Sequence, residues 1–175
     1  FIGSPGGHVE SGDTIYDMIR FIKPVVRTVG TGWVGSIATH IYLAPAKENR
    51  YALPNTRFLI HQPSGGFGGD ATDIAIQARE IIKTRARINQ TIAEQTGQPL
   101  DRVAIDTDRD YWMSPEESVA YGLVGRIINT AAELPGYERS RARRRAHCER
   151  MLRAISAYSS RGTCIRCESL RSYCS

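Results

Sequence analysis

The sequence predicts an α/β fold, on two observations. Short runs rich in β-branched residues alternate with stretches of helical period over most of the chain, which is the pattern of strands and helices layered around one sheet. Proline or glycine closes nearly every stretch, so the elements are short and the turns tight. The chain has 175 residues, 41% of them hydrophobic, which suits one domain with a real core, and it shows no internal repeat.

The elements follow in order. "FIGSPGG" reads as the end of a buried strand running into a turn; with Phe1 in first place and no partner strand before it, an N-terminally truncated chain is expected. "HVESGDTIYDMIRFIK" places Ile15, Met18, Ile19 and Ile22 at i, i+3, i+4 and i+7, one apolar face of a helix that Pro24 closes. "VVRTVG", 25 to 30, predicts a strand, and "SIATHIYLA" a short buried helix ended by Pro45. "RYALPNTRFLIHQP" sets two β-prone runs around a Pro54-Asn55 turn, and "SGGFGG" continues as an extended or flexible passage.

The longest helix is predicted from Ala71 to about Gln95, with Ile74, Ala78, Ile81, Ile82, Arg85, Ile88 and Ile92 in helical period before Gly97 and Pro99. At about 37 Å it exceeds what a small domain covers, so part of it should project. "PLDRVAIDTDRD" supplies a short helix with Pro99 at its start. "SPEESVAYG" combines Ser114 as N-cap, Pro115 at N1, Glu117 at N3 and Gly122 as the stop, and "LVGRIIN" is a last strand.

Charge and cysteine are concentrated at one end. Residues 131 to 175 hold ten Arg, no Lys and four Glu, whereas 1 to 130 hold thirteen basic against fourteen acidic side chains, a net of −1. A body this neutral offers no basic face to nucleic acid. No stretch reaches the roughly 20 apolar residues of a membrane span and no secretory leader is visible, so a soluble compartment is expected. Cys148, Cys164, Cys167 and Cys174 all fall in the last 45 residues, leaving the body without a disulfide framework or thiolate nucleophile, as in a reducing compartment. The single C-x-x-C at Cys164 and Cys167, with His147 and Cys148, is a weak zinc signal because a second spaced pair is missing. The composition of 131 to 175 fits a disordered or non-native extension better than a metal site or a basic arm.

Three places carry candidate chemistry. "GTGWVGSIATH", residues 30 to 40, sets Ser36 between a strand-like run and a helix, with glycines at 30, 32 and 35 clearing space. A serine nucleophile needs a base to take its proton and N–H donors for the oxyanion; a helix N-terminus leaves such donors free, that of Ile37 among them. The same pattern describes an N-cap serine, and it is not the G-x-S-x-G elbow. Any of three histidines could be the base: His40 shares the Ser36 helix and would sooner fill core space or form a polar contact, His8 follows the "SPGG" turn and would be solvated or border the site, and His61 ends the strand "RFLI" just before the glycine-rich passage. Strand ends opening onto loops are where α/β sheets display functional side chains. Among Asp106, Asp108 and Asp110, the last adjoins Tyr111-Trp112-Met113, at the edge of apolar cover, where a carboxylate needs a partner such as an imidazole N–H. Gly6 and Gly7 can turn amides toward a cavity. A purely structural role stays open for each.

With these residues in view, residues 1 to 129 resemble the Clp protease family, the proteolytic subunits of ATP-dependent caseinolytic proteases. "SPGG", "IYDMIRFIKP", the serine segment, "ALPNTRFLIHQP", "GGDATDIAIQAREI" and "DTDRDYWMSPEESVAYGLV" occur in the family's order. The resemblance implies a crotonase-like α/β spiral at 1 to 130, with 131 to 175 as an added tail. It implies Ser36 as nucleophile, His61 as general base and Asp110 as orienting acid, with the backbone N–H groups of Gly7 and Ile37 as the oxyanion hole. Substrate would lie extended between Gly6-Gly7 and a strand at 62 to 68 that includes Gln62 and Pro63. The helix 71 to 96 would be the handle joining two stacked heptameric rings, with Asp108 and Arg109 at ring-to-ring contacts coupled to the triad. The implied partner is a hexameric AAA+ unfoldase of the ClpA, ClpX or ClpC type that delivers unfolded polypeptide and consumes the ATP, so the subunit itself needs no cofactor and no metal. The implied location is the bacterial-type cytoplasm, an organelle being the alternative.

The chain departs from the family in three ways. Trp33-Val34-Gly35 and Ile37-Ala38 flank the serine where the family has alanines before it and Met-Gly after it, so the bulk of Trp33 and Ile37 is expected to reshape the pocket. The family's N-terminal gate segment is not in the sequence, and the tail has no family counterpart. Two other functions share the fold. A crotonase-type acyl-CoA enzyme would hold an enolate on backbone amides without needing the three side chains together, and an inactive ring subunit would have lost members of the set.

Overall fold

In the computed structural model, which describes residues 1–137 and 149–150, strands and helices alternate as the sequence predicts. They are β1 (Ile2–Ser4), α1 (Val9–Phe21), β2 (Thr28–Gly35), α2 (Ile37–Tyr42), β3 (Arg50–Ala52), β4 (Arg57–Ile60), α3 (Ala71–Thr96), α4 (Leu100–Asp106), β5 (Tyr111–Met113), α5 (Pro115–Tyr121) and β6 (Arg126–Ile127). The sheet runs β5-β4-β2-β3-β6, with β1 also paired to β2. Every pairing is parallel except β4 with β5. Val34, Tyr42, Phe58, Ile60, Met113 and Leu123 fill the core between sheet and helices, and the Tyr42 and Phe58 rings meet edge-on at 5.1 Å.

Local chemistry accounts for the ends of the elements. Gly97 takes a left-handed conformation, φ 78°, and stops α3 after 26 residues, about 39 Å. Ser114 and Glu117 form the reciprocal capping box of α5, with Pro115 at its first position. Arg50, wholly buried on β3, donates from Nε to the Pro45 carbonyl at 2.7 Å and from Nη1 to the Gln95 carbonyl at 2.8 Å, so a guanidinium ties β3 to the end of α3.

Five expectations need correcting. β2 begins three residues later than predicted and runs on through Gly35, because pairing with β3 and then β4 carries the ladder across the glycines. β1 is only partly buried. In α1 the buried face is centred on Gly12, while Ile15, Met18 and Ile22 are exposed. Gly12 allows a close approach, since a Cβ there would overlap Ile37 Cγ1. Residues 62 to 68 form no strand; among the described residues the backbone bond of Gln62 N–H to the Thr107 carbonyl is not continued into a ladder through the glycines. β5, only three residues long and preceded by charges, was not foreseen and exists through its pairing with β4.

Phe1–Asn129 forms one unit and Thr130–Ser175 a second. The described part of the second begins with a single 3₁₀ turn, Ala131–Glu133, capped reciprocally by Thr130 and Glu133. His147, Cys148, Cys164, Cys167 and Cys174 lie outside the described residues. Among the described residues no helix is long and apolar enough to cross a membrane, and no group of three or more His, Cys, Asp or Glu is disposed to hold a metal ion.

Candidate active site

Strand register brings the candidate residues to one place. β2 and β4 pair in parallel with Gly35 opposite Leu59, so the next residues, Ser36 and Ile60, stand level at the strand ends, with His61 following. β4 and β5 pair antiparallel with Ile60 opposite Tyr111, and one further step sets His61 opposite Asp110. Three residues distant in sequence thus leave the same end of three adjacent strands.

Ser36 is held by its backbone. Its N–H donates to the Leu59 carbonyl at 3.0 Å, extending the β2–β4 ladder by one bond, and the chain then turns sharply, with φ 56° and ψ −130°. Among the described residues Ser36 is the one non-glycine with positive φ, a conformation that costs free energy and persists only where neighbours enforce it. The Thr39 hydroxyl, at 3.0 Å from both the Val34 and Leu59 carbonyls, ties α2 to both strand ends and supplies that enforcement. Ser36 occupies the N-cap position of α2 but makes no side-chain bond to its first turn, so its hydroxyl is not spent on capping. Its hydroxyl is free for other work.

Gly6, φ 108°, passes directly over this turn: a Cβ there would come within 2.6 Å of Ser36 Cβ and 3.2 Å of the Ile37 nitrogen. Gly7, φ 148°, adjoins open space. The N–H of Ile37, at the first position of α2, has no partner within its own helix.

His61 Nδ1 lies 3.4 Å from Asp110 Oδ1, long for a hydrogen bond but of the order seen in catalytic pairs without substrate. The His61 side chain is 25% exposed and that of Asp110 65%, so among the described residues Asp110 stands at the open edge of the apolar cover. The other two acids are committed elsewhere. Asp106 is buried, accepts from Arg102 Nε at 2.8 Å and receives the Tyr121 hydroxyl at 3.0 Å; burial, then this bond, pushes the Tyr121 pKa up. Asp108 takes Arg85 Nη2 at 3.1 Å, and its carbonyl accepts from Gln62 Nε2 at 2.7 Å. Gln62 also donates its N–H to the Thr107 carbonyl. Gln62 therefore ties the His61 strand end to the loop carrying Asp110 through its main-chain N–H and its side-chain amide. Arg109 is exposed.

An open cleft beside Ser36 is lined by Val9, Ile37, His40, Ile60, His61, Pro63, Ile88 and Ile92. Ile37 does shape it, as expected from its bulk. Trp33 does not: its ring packs on Trp112 at 5.4 Å, with Arg57 over Trp112, away from the cleft. His8 is solvated, capping α1 through Ser11. Sequence reasoning missed the positioning role of Thr39, whereas His40 is buried beside Asp13 as a core histidine with a polar contact should be. Thr39 gave no signal, since its partners are carbonyls on two other strands. His40 did: an imidazole inside an apolar helix requires a polar neighbour.

Known proteins share this arrangement of sequence. Residues 1–131 match the family model described as Clp protease. An ATP-dependent Clp protease proteolytic subunit 3 from Rhizobium meliloti is 63% identical over 134 residues, covering 77% of this chain and 69% of that protein. The corresponding subunit 2 from Gluconobacter oxydans is 60% identical over 136 residues, 77% of this chain and 61% of that protein. In structure, a ClpP1 mutant from Listeria monocytogenes superposes with a TM-score of 0.71 at 56% identity, covering 75% of this chain and 73% of that one. The fold is accordingly the crotonase-like α/β fold of ClpP. With a family model spanning three-quarters of its length and relatives at this identity, the chain belongs to the Clp protease family.

Proposed function

We propose that this Clp protease family chain is a serine endopeptidase whose nucleophile is Ser36, with His61 as general base and Asp110 as the acid that orients it. The observation that carries the reading is the shared end of β2, β4 and β5: Ser36 and His61 line one cleft, and His61 Nδ1 faces Asp110 at 3.4 Å. In the reaction His61 takes the Ser36 proton as Oγ attacks a peptide carbonyl, and the N–H groups of Ile37 and Gly7 hold the oxyanion. His61 then returns the proton to the leaving amine, and water releases the acyl-enzyme by the same route. Substrate main chain pairing beside Gly6-Gly7 and Pro63 would make side-chain selectivity low. The hydrolysis needs no cofactor.

The exposed apolar residues of the lone chain support self-association. Ile15 and Met18 on α1, and Ile74, Ile76 and Ile82 on α3, form surfaces of the kind that mark interfaces. We read them as contacts in two stacked heptameric rings, with Asp108 and Arg109 near the ring-to-ring boundary and with Asp110 gaining cover there. A hexameric AAA+ unfoldase supplies unfolded polypeptide and consumes the ATP, in the bacterial-type cytoplasm. The acyl-CoA and inactive-subunit alternatives gain no observation of their own. Turnover of a fluorogenic peptide by the assembled chain tests the reading: Ser36→Ala and His61→Ala should each lower it by about 10⁶. Activity surviving in either variant would refute the assignment.

A further inference from the structure

The sheet face turned away from the core carries two tryptophans that peptide hydrolysis leaves unused. Val34 of β2, Phe58 and Ile60 of β4 and Met113 of β5 belong to the core, so strand alternation sends Trp33, Leu59 and Trp112 to the other face. Trp33 stands opposite Arg57, and Trp112 opposite Leu59. The two indoles meet at 5.4 Å between centroids, and the Arg57 guanidinium lies 5.5 Å over Trp112. Leu59 is buried, yet Trp33 is 44% exposed and Trp112 40%. Large aromatic rings left open side by side are surface of the kind that marks an interaction site. The patch also adjoins the triad. A Cβ on Gly35, the residue before Ser36, would come within 2.6 Å of Trp33 Nε1, so this indole lies along β2 toward the serine turn. The His61–Asp110 pair stands two residues beyond the Leu59–Trp112 pair on the same two strands, about 7 Å away.

We propose that Trp33 and Trp112 form a substrate platform, on which stacks the aromatic side chain of the second residue on the leaving side of the scissile bond. The inference rests on the reading of Ser36, His61 and Asp110 as the triad. His61 returns its proton to the leaving amine, so the departing half of the polypeptide passes on the His61 side of Ser36, beside the strand pair that carries Trp112. About 7 Å is two residues of extended chain. A phenylalanine or tyrosine at that place meets the open indoles offset or edge-on. Alanine covers little of them, and lysine brings its ammonium toward the Arg57 guanidinium.

The sequence has two tryptophans, and both are in this patch, so their emission reports the platform alone. The test uses the assembled chain and peptides of one sequence that carry Phe, Ala or Lys two places after the cleaved bond, with the cut located by mass spectrometry. The Phe peptide should exceed the Ala peptide in kcat/KM by about three- to tenfold, the scale of one aromatic pair, with Lys lowest. In Trp33→Ala and in Trp112→Ala the Phe-to-Ala ratio should fall to about one. In the assembled Ser36→Ala form, the Phe peptide should shift tryptophan emission to shorter wavelength and the Ala peptide should shift it less. Equal kcat/KM for Phe and Ala in the wild type, a ratio unchanged in both tryptophan variants, or emission unmoved by the Phe peptide would each overturn the proposal. Unmoved emission is the result expected if a second copy of the chain covers the indoles. The wild-type ratio decides the matter even if a variant does not fold. An inactive Ser36→Ala with no Phe preference in the wild type removes the platform and keeps the protease, whereas an active Ser36→Ala with the emission shift intact removes the nucleophile and keeps the aromatic site.

Discussion

Gly12→Ala sets two known effects against each other. Alanine in the interior of a helix is favoured over glycine by about 1 kcal/mol, so if α1 merely lay on the surface the substitution would stabilise. In the fold, the added Cβ overlaps Ile37 Cγ1 and comes within 3.1 Å of Cδ1 and 3.3 Å of Cβ. Relieving that overlap forces Ile37 off its rotamer or moves α1 away from α2, at a cost of about 1–3 kcal/mol. The net is a loss of about 1 kcal/mol, or roughly 4 °C in melting temperature for a domain of this size. Activity should suffer more. In the proposed mechanism Ile37 supplies an oxyanion-hole N–H, and a displaced donor would lower kcat by about 10 to 100-fold, short of the full loss of one. Thermal melts and peptide turnover of Gly12→Ala check both numbers, and adding Ile37→Ala should give a favourable coupling by removing the overlap. A higher melting temperature with unchanged turnover would refute the reasoning, since α1 would then not be holding Ile37 in place.

The acids of "DTDRD" should separate by role. Asp106→Asn should lower stability by about 1–3 kcal/mol through its buried bonds to Tyr121 and Arg102 while leaving kcat within a few-fold; Asp110→Asn should do the reverse, cutting turnover by about 10³–10⁴ with little change in the melt. A large stability loss in Asp110→Asn would count against its orienting role. Acid titration should expose His40. Burial holds its pKa below the ordinary 6.5, with Arg87 acting in the same direction and Asp13 and Asp17 opposing. The unfolded chain therefore binds that proton more readily, so stability is full above about pH 6.5 and falls as pH drops toward the lowered folded value. Urea midpoints across this window should flatten in His40→Phe; an unchanged slope would assign the acid loss to other groups.

Much of this fold could be seen in the sequence wherever a local rule dictates the outcome. The bounds of α3 and α5 follow from Gly97, Ser114, Pro115 and Gly122, whose preferences act within a few residues. The facing of α1 did not follow, because Ile15, Met18 and Ile22 are apolar yet exposed, so their helical period marked the wrong face; Gly12, the contact point, carries no hydrophobic signal at all. β5 escaped since three residues after a charged run become a strand only through β4. The triad candidates were suggested by position, at strand ends and beside glycines, yet His61 opposite Asp110 is a matter of antiparallel register, which no single segment encodes. The direction taken by Trp112, toward Trp33 and Arg57, was likewise not foreseeable from the segment alone.

The point of attachment of a fluorophosphonate decides whether an activated serine sits where β2 meets α2. In the assembled chain, peptide mapping should find the adduct on Ser36 alone, and the label should disappear in His61→Ala. A label on another hydroxyl, undiminished labelling in His61→Ala, or no label on the wild type would contradict hydrolysis by this set of residues.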